Sequence, residues 1–170
     1  DSTVPEQVRR FRNQLDLKRT LCIVASKSGT TTEPNAFGDY FWAEMQEEVG
    51  NQAGEHFVAI TDPNSSLHKL AKKNGYRHVF LWRSQIGGRF SALSPFGLVP
   101  AALMGIDLEV FLNLAKEMVL RCQKPVSENP GITLGVILGV LAKEGRDKVT
   151  LVTSPQILDL GAWLEQLIAE

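Results

Sequence analysis

Residues 20–34 read TLCIVASKSGTTTEP, and the stretch falls into two halves. Residues 20–25 form a short, β-branched apolar run, the pattern of a strand buried on both faces. Ser26, Ser28, Thr30, Thr31 and Thr32 then crowd hydroxyls around Gly29, where the missing Cβ lets the backbone turn tightly and approach a ligand. Glu33 and Pro34 open a helix, since proline is tolerated in a first turn and an acid there complements the dipole. Strand, hydroxyl-rich loop and helix N-terminus together predict an anion site, because the first-turn N–H groups and the macrodipole both face the loop. One or two hydroxyls would mean no more than a capped turn; five in seven positions favour the anion.

Working outward, the flanking segments alternate between helix and strand. Upstream, Thr3-Val4-Pro5-Glu6 reads as a capping box and leads into Val8, Phe11 and Leu15 at helical spacing. A parallel α/β unit usually begins with a strand, so a strand is expected before Asp1. Downstream, Phe37, Tyr40, Phe41 and Met45 line one face of a core-facing helix that Gly50 ends. Residues 56–61 form a second strand, Asp62-Pro63-Asn64 a turn, and Ser65 or Ser66 the cap of a short helix ending at Asn74-Gly75. Residues 77–82 form a third strand. This alternation predicts βαβ units and a mostly parallel sheet, whose ligands sit at the carboxyl ends of the strands.

The third strand leads into Gln85-Ile86-Gly87-Gly88-Arg89-Phe90-Ser91, where two glycines let the backbone come close to a bound group and an arginine aims a fixed fork of donors at it. Alone, that pattern equally fits a glycine turn with a surface arginine. Beyond it, Ser94-Pro95 caps a helix, residues 107–123 form an amphipathic one, and Asn129-Pro130 starts another. Gly131, Gly135 and Gly139 recur every four residues, which predicts close packing within a core. Residues 148–153 read as a fourth strand and residues 157–168 as a last helix. With no repeat, linker or low-complexity tract, one domain is expected over residues 1–170.

Composition narrows the function. The chain has 170 residues, enough for one full core, with 44% hydrophobic and 22% charged residues, as in ordinary globular proteins. A net charge of -1, from 18 basic and 19 acidic residues, argues against a nucleic-acid partner or an anionic membrane surface. Cys22 and Cys122 lack metal or redox spacing and read as small apolar residues of a reducing compartment. The first residues carry no signal-peptide pattern, and residues 132–142, the longest apolar stretch, are shorter than the ~20 residues a membrane span needs. None of His56, His68 and His78 sits in a catalytic motif.

Taken in order, Ser26-Lys27-Ser28-Gly29-Thr30-Thr31 with Glu33, the Gly87-Gly88-Arg89-Phe90-Ser91 turn with Gly97-Leu98, the Asn129-Pro130 helix and the opening Asp1-Ser2-Thr3-x-Pro5 resemble the sugar isomerase (SIS) domain of the glucose-6-phosphate isomerase family. The resemblance covers essentially the whole chain. It implies a flavodoxin-like, three-layer α/β/α sandwich with a mostly parallel sheet, one strand of which precedes Asp1. It further implies a fragment of a longer two-SIS-domain protein, a homodimer with a shared active site.

Residue by residue, the resemblance makes the hydroxyls of Ser26, Ser28 and Thr31 the binders of a sugar phosphate, with Lys27 and Thr30 assisting. Arg89 becomes the arginine that stabilises the enediolate, and Gly88 the glycine that brings it close. Glu170, at the end of Leu167-Ile168-Ala169-Glu170, matches the approach to the family's catalytic base in Glu-Ser-x-Gly-Lys. The histidine and lysine of ring opening fall beyond this segment.

The reaction so implied is the interconversion of glucose 6-phosphate and fructose 6-phosphate through a cis-enediol. It runs in the cytoplasm, within glycolysis and gluconeogenesis, with no metal or other cofactor; the isolated segment is expected to bind but not to turn over. The rival is a regulatory SIS domain that binds phosphosugars without converting them. The Gly88-Arg89 turn favours the enzyme, whereas a basic helix-turn-helix, of which the chain has none, would favour the regulator. A nucleotide-binding loop is disfavoured because residues 26–31 lack the Gly-x-x-x-x-Gly-Lys-Ser/Thr frame.

Overall fold

A computed structural model describes residues 4–169. The chain divides between Val99 and Pro100 into two compact units.

The first unit is an α/β fold around a parallel three-stranded sheet in the order β1-β2-β3, formed by β1 (Cys22–Ala25), β2 (Phe57–Thr61) and β3 (His78–Leu81). Register pairs Cys22 with Phe57 and Val58 with His78. Every residue of β2 is buried, as its apolar run requires of a central strand. β1 lies at an edge of this sheet and is only half-buried, with Ala25 exposed, so the expectation of a strand buried on both faces is corrected: among the described residues its β-branched run pairs with β2 alone.

Helix α1 (Pro5–Gln14) starts after Val4, which makes no side-chain cap; Thr3, the expected capping residue, lies outside the described residues. Helix α2 (Thr32–Val49) follows β1 and buries Phe41 and Met45 against Leu17, Ala53 and Phe57. Arg12 of α1 pairs with Glu44 of α2. Trp42 and Tyr76 flank Phe57, with ring centroids 5.2 and 5.1 Å from it. Helix α3 (Ser66–Lys73) sets Leu67 and Ala71 against Ala59. Phe57 and Ala59 alternate onto one face of β2, so α2 and α3 cover the same side of the sheet. The Ser65 side chain caps α3, accepting from the His68 amide at 3.0 Å. Two imidazoles are tied into the fold: His68 Nδ1 accepts from the Asn64 amide, and His56 Nδ1 bonds to the Thr20 carbonyl.

The second unit is helical. Helix α4 (Pro95–Leu103) runs into it across the division; α5 (Leu108–Cys122), α6 (Pro130–Lys143) and α7 (Leu160–Ala169) follow. Asp107 caps α5 and Asn129 caps α6, the latter also donating to the Cys122 carbonyl. Two expectations are corrected here. Residues 148–153 form no strand, because no strand of this unit offers them a ladder among the described residues, and Val152 is 93% exposed. Gly135 and Gly139 mediate no close packing among the described residues, since a β-carbon at either would meet nothing there within 4 Å. Cys122 is exposed, and both cysteines are free thiols. No helix among the described residues is long and apolar enough to cross a membrane.

Candidate functional site

Parallel pairing brings the carboxyl ends of all three strands to one edge of the sheet, so the 26–31 loop after β1 and the Gly87–Arg89 turn after β3 emerge on the same side. The loop leaves the sheet through the Ser26 amide, which donates to the Ile60 carbonyl at 3.0 Å. The Ser26 hydroxyl is buried and accepts from the Gly29 amide at 3.1 Å, which curls the loop around it. A hydroxyl in that role keeps one proton to donate.

Gly29 stands at φ 71°, in the left-handed region, and a β-carbon there would lie 2.4 Å from both the Leu67 amide nitrogen and the Ser66 hydroxyl. Glycine is therefore required twice over, by conformation and by contact with the start of α3. Two side chains hold the Gly29 carbonyl: Ser66 Oγ donates to its oxygen at 2.7 Å, and Asn35 Nδ2 donates to the same oxygen at 2.9 Å.

The outer rim is polar and exposed. Ser28 and Thr30 share a hydroxyl–hydroxyl bond of 2.7 Å, and the Thr30 amide donates to Ser28 Oγ. Thr31 is the N-cap residue of α2, and its side chain makes no capping bond. The first-turn amides of α2 therefore have no intrahelical acceptor, and Glu33 stands beside them. Lys27 behaves differently from the hydroxyls around it. Its ammonium reaches across to Asp62 Oδ1 at 2.7 Å and to the Arg83 carbonyl at 3.3 Å, and lies 5.7 Å from the Phe96 ring centroid.

Gly88 begins a 3-10 turn, Gly88–Phe90, which carries Arg89 in an exposed position. Ser91, buried beneath it, donates from its hydroxyl to the Gly88 carbonyl at 2.5 Å. A β-carbon on Gly88 would meet only the Lys27 Cδ, at 3.6 Å, which is ordinary contact. Gly97 is different, since its β-carbon would fall 2.1 Å from the Ala92 carbonyl oxygen; glycine there lets the start of α4 close onto the turn. The Lys27 side chain thus reaches from its own loop to the segment that leads into the turn. Glu170 lies outside the described residues.

Sequence reasoning found the loop, the turn and their common edge but missed Asp62, Ser66 and Asn35, which hold the loop in shape. Asp62 and Ser66 are ordinary turn and cap residues in the sequence, and only the sheet order brings them to the loop, whereas Asn35 reaches back to it from the start of α2.

Comparison with known proteins gives a consistent result. The family model described as phosphoglucose isomerase matches residues 3–168. A glucose-6-phosphate isomerase of Carboxydothermus hydrogenoformans is 32% identical over 173 residues, covering 100% of this chain and 37% of that protein. Among solved structures, a hypothetical protein of Thermus thermophilus superposes with a TM-score of 0.79 at 33% identity, covering 82% of this chain and 34% of the other. A glucose-6-phosphate isomerase of Chlamydia trachomatis gives a TM-score of 0.69 at 32% identity, covering 86% and 28%. The chain thus spans little more than a third of the length of the curated relative it matches.

Proposed function

Because this chain belongs to the phosphoglucose isomerase family, we propose that it is the sugar-phosphate-binding SIS domain of a longer, two-domain, homodimeric glucose-6-phosphate isomerase of the cytoplasm. The observation that carries this reading is the common edge of the 26–31 loop and the Gly87–Arg89 turn, joined through Lys27.

The phosphate of glucose 6-phosphate or fructose 6-phosphate docks on the loop. Ser28 and Thr31 donate from their hydroxyls, Ser26 from its remaining proton, and Thr30 with the first-turn amides of α2 completes the cradle. Lys27 assists through its backbone, since its ammonium is engaged with Asp62. These contacts are remote from the reacting carbons, so they orient the open chain and leave the chemistry to the other end of the sugar.

There a carboxylate takes the C2 proton and returns it to C1 through a cis-enediol; Glu170 is assigned that role by the family motif it approaches. Negative charge grows on the sugar oxygens in that step. An always-charged arginine held near them stabilises the transition state more than the ground state, and Arg89 is that residue. Gly88 brings the backbone close, consistent with the absence of any neighbour among the described residues that would itself require glycine there. No metal or other cofactor takes part in this scheme.

The test is a titration of the isotopically labelled chain with fructose 6-phosphate, following the amides of residues 25–33 and 87–89 by NMR. Movement in both groups supports the reading. Movement in neither removes it, and binding without turnover by the complete protein would favour the regulatory SIS domain instead.

A further inference from the structure

We infer that Asp62 is a positioning residue that acts through Lys27, tying the phosphate loop to the Arg89 turn so that an anion bound at one is felt at the other. This rests on reading residues 26–31 as a phosphate site. Asp62 directly follows β2, the central strand, so it stands between the loop after β1 and the segment after β3. It holds Lys27 at two points. The Asp62 amide donates to the Lys27 carbonyl at 3.1 Å, an oxygen that also accepts from the Thr61 hydroxyl at 3.0 Å. The Asp62 carboxylate takes the Lys27 ammonium at 2.7 Å.

That ammonium also donates to the Arg83 carbonyl at 3.3 Å, in the segment that leads to Arg89, and the lysine Cδ would stand 3.6 Å from a β-carbon built at Gly88. One lysine therefore links all three strand ends, and one carboxylate fixes the lysine. The two side chains are only 19% and 15% exposed, so the pair sits where removal of one partner leaves a poorly solvated charge. A lysine engaged in this way is a strut between loops rather than a spare counter-ion for the phosphate. The Asp62-Pro63-Asn64 turn hides this role in the sequence, because aspartate there is fully explained as a turn former.

Inorganic phosphate is the discriminating probe, since it lacks the sugar that the proposed function carries toward Arg89. In the labelled chain it is expected to shift the amides of residues 28–31 and, through the strut, those of Gly87, Gly88 and Arg89. In Asp62→Asn the response at 28–31 persists while that at 87–89 falls severalfold, and Asp62→Glu, which keeps the carboxylate, restores it. Lys27→Gln breaks the link from the other side and serves as the second variant. A response at 28–31 with unmoved 87–89 amides in the unsubstituted chain overturns the inference, as does undiminished coupling in either broken pair. If both variants fail to fold, the pair is a stabilising element and not a positioning one. Silence at 28–31 in the unsubstituted chain instead overturns the phosphate reading itself.

Discussion

The Gly29 amide donates to the Ser26 hydroxyl beneath the loop while the Gly29 carbonyl is held from the α3 side by Ser66, so one residue is gripped through both of its peptide groups. Gly29→Ala places a methyl 2.4 Å from the Leu67 amide nitrogen and forces φ 71° on an L-residue. The conformation alone costs roughly 1–3 kcal/mol. Urea denaturation is expected to show at least that loss. Phosphate titration of the folded fraction is expected to show weakened binding, because the loop must open to relieve the contact. A variant with unchanged midpoint and affinity would mean that the loop is not rigidly held.

Ser26 and Ser28 divide the loop between support and contact. Ser26→Ala removes the acceptor of a buried amide, which typically costs about 1–3 kcal/mol of stability. Ser28→Ala, at an exposed rim position, is expected to change stability by no more than about 0.5 kcal/mol. Its effect falls on sugar-phosphate affinity. Denaturation midpoints and binding curves measured on both variants check this division: equal effects on stability would contradict it.

Much of this was legible in the sequence because it follows from local rules. The apolar run before Ser26, Pro34 in the first turn of α2 and Gly50 at its end each specify their own conformation, and the parallel arrangement follows from the alternation of elements. What was not legible depends on partners distant in the chain. Lys27 looks like one more anion ligand until sheet order sets Asp62 beside it. The pattern of residues 148–153 suits a strand, yet a strand exists only where a neighbour takes its hydrogen bonds. The glycine repeat of α6 fails for the same reason: periodicity marks a face of a helix but does not supply what packs on it.

Cys22 gives the first unit a dependence on alkaline pH. Burial pushes its thiol up to about 11 from 9.0, and Tyr76 is pushed up to about 12 from 10.0, first by burial and then by the nearby Asp39. Both groups stay neutral in the folded state at a pH where the unfolded chain ionises. Their contribution is therefore complete below about pH 9 and is lost as pH rises through 11 to 12. Thermal midpoints are expected to be level from pH 7 to about 8.5 and to fall above it. Cys22→Ser, which does not titrate in this range, is expected to flatten the first part of that fall. A midpoint independent of pH across this window would show that neither group is desolvated as described.

Arg89 separates catalysis from binding in the proposed isomerase. The proposed phosphate contacts lie on the 26–31 loop, whereas Arg89 is carried on a different segment after β3. In the complete protein, Arg89→Ala is expected to raise the barrier to turnover by roughly 2.7–4 kcal/mol, the scale seen when one donor to developing transition-state charge is lost. KM changes much less, because ground-state affinity comes chiefly from the phosphate. Arg89→Lys keeps the charge but not the planar fork and is expected to recover only part of the rate. The isolated chain, holding the cradle and Arg89 without the ring-opening groups assigned elsewhere, is expected to bind fructose 6-phosphate weakly and not to convert it at a useful rate. A coupled assay on the complete protein, its two Arg89 variants and the isolated chain decides the matter. Unchanged turnover in Arg89→Ala, or efficient turnover by the isolated chain, would mean that these roles belong to other residues.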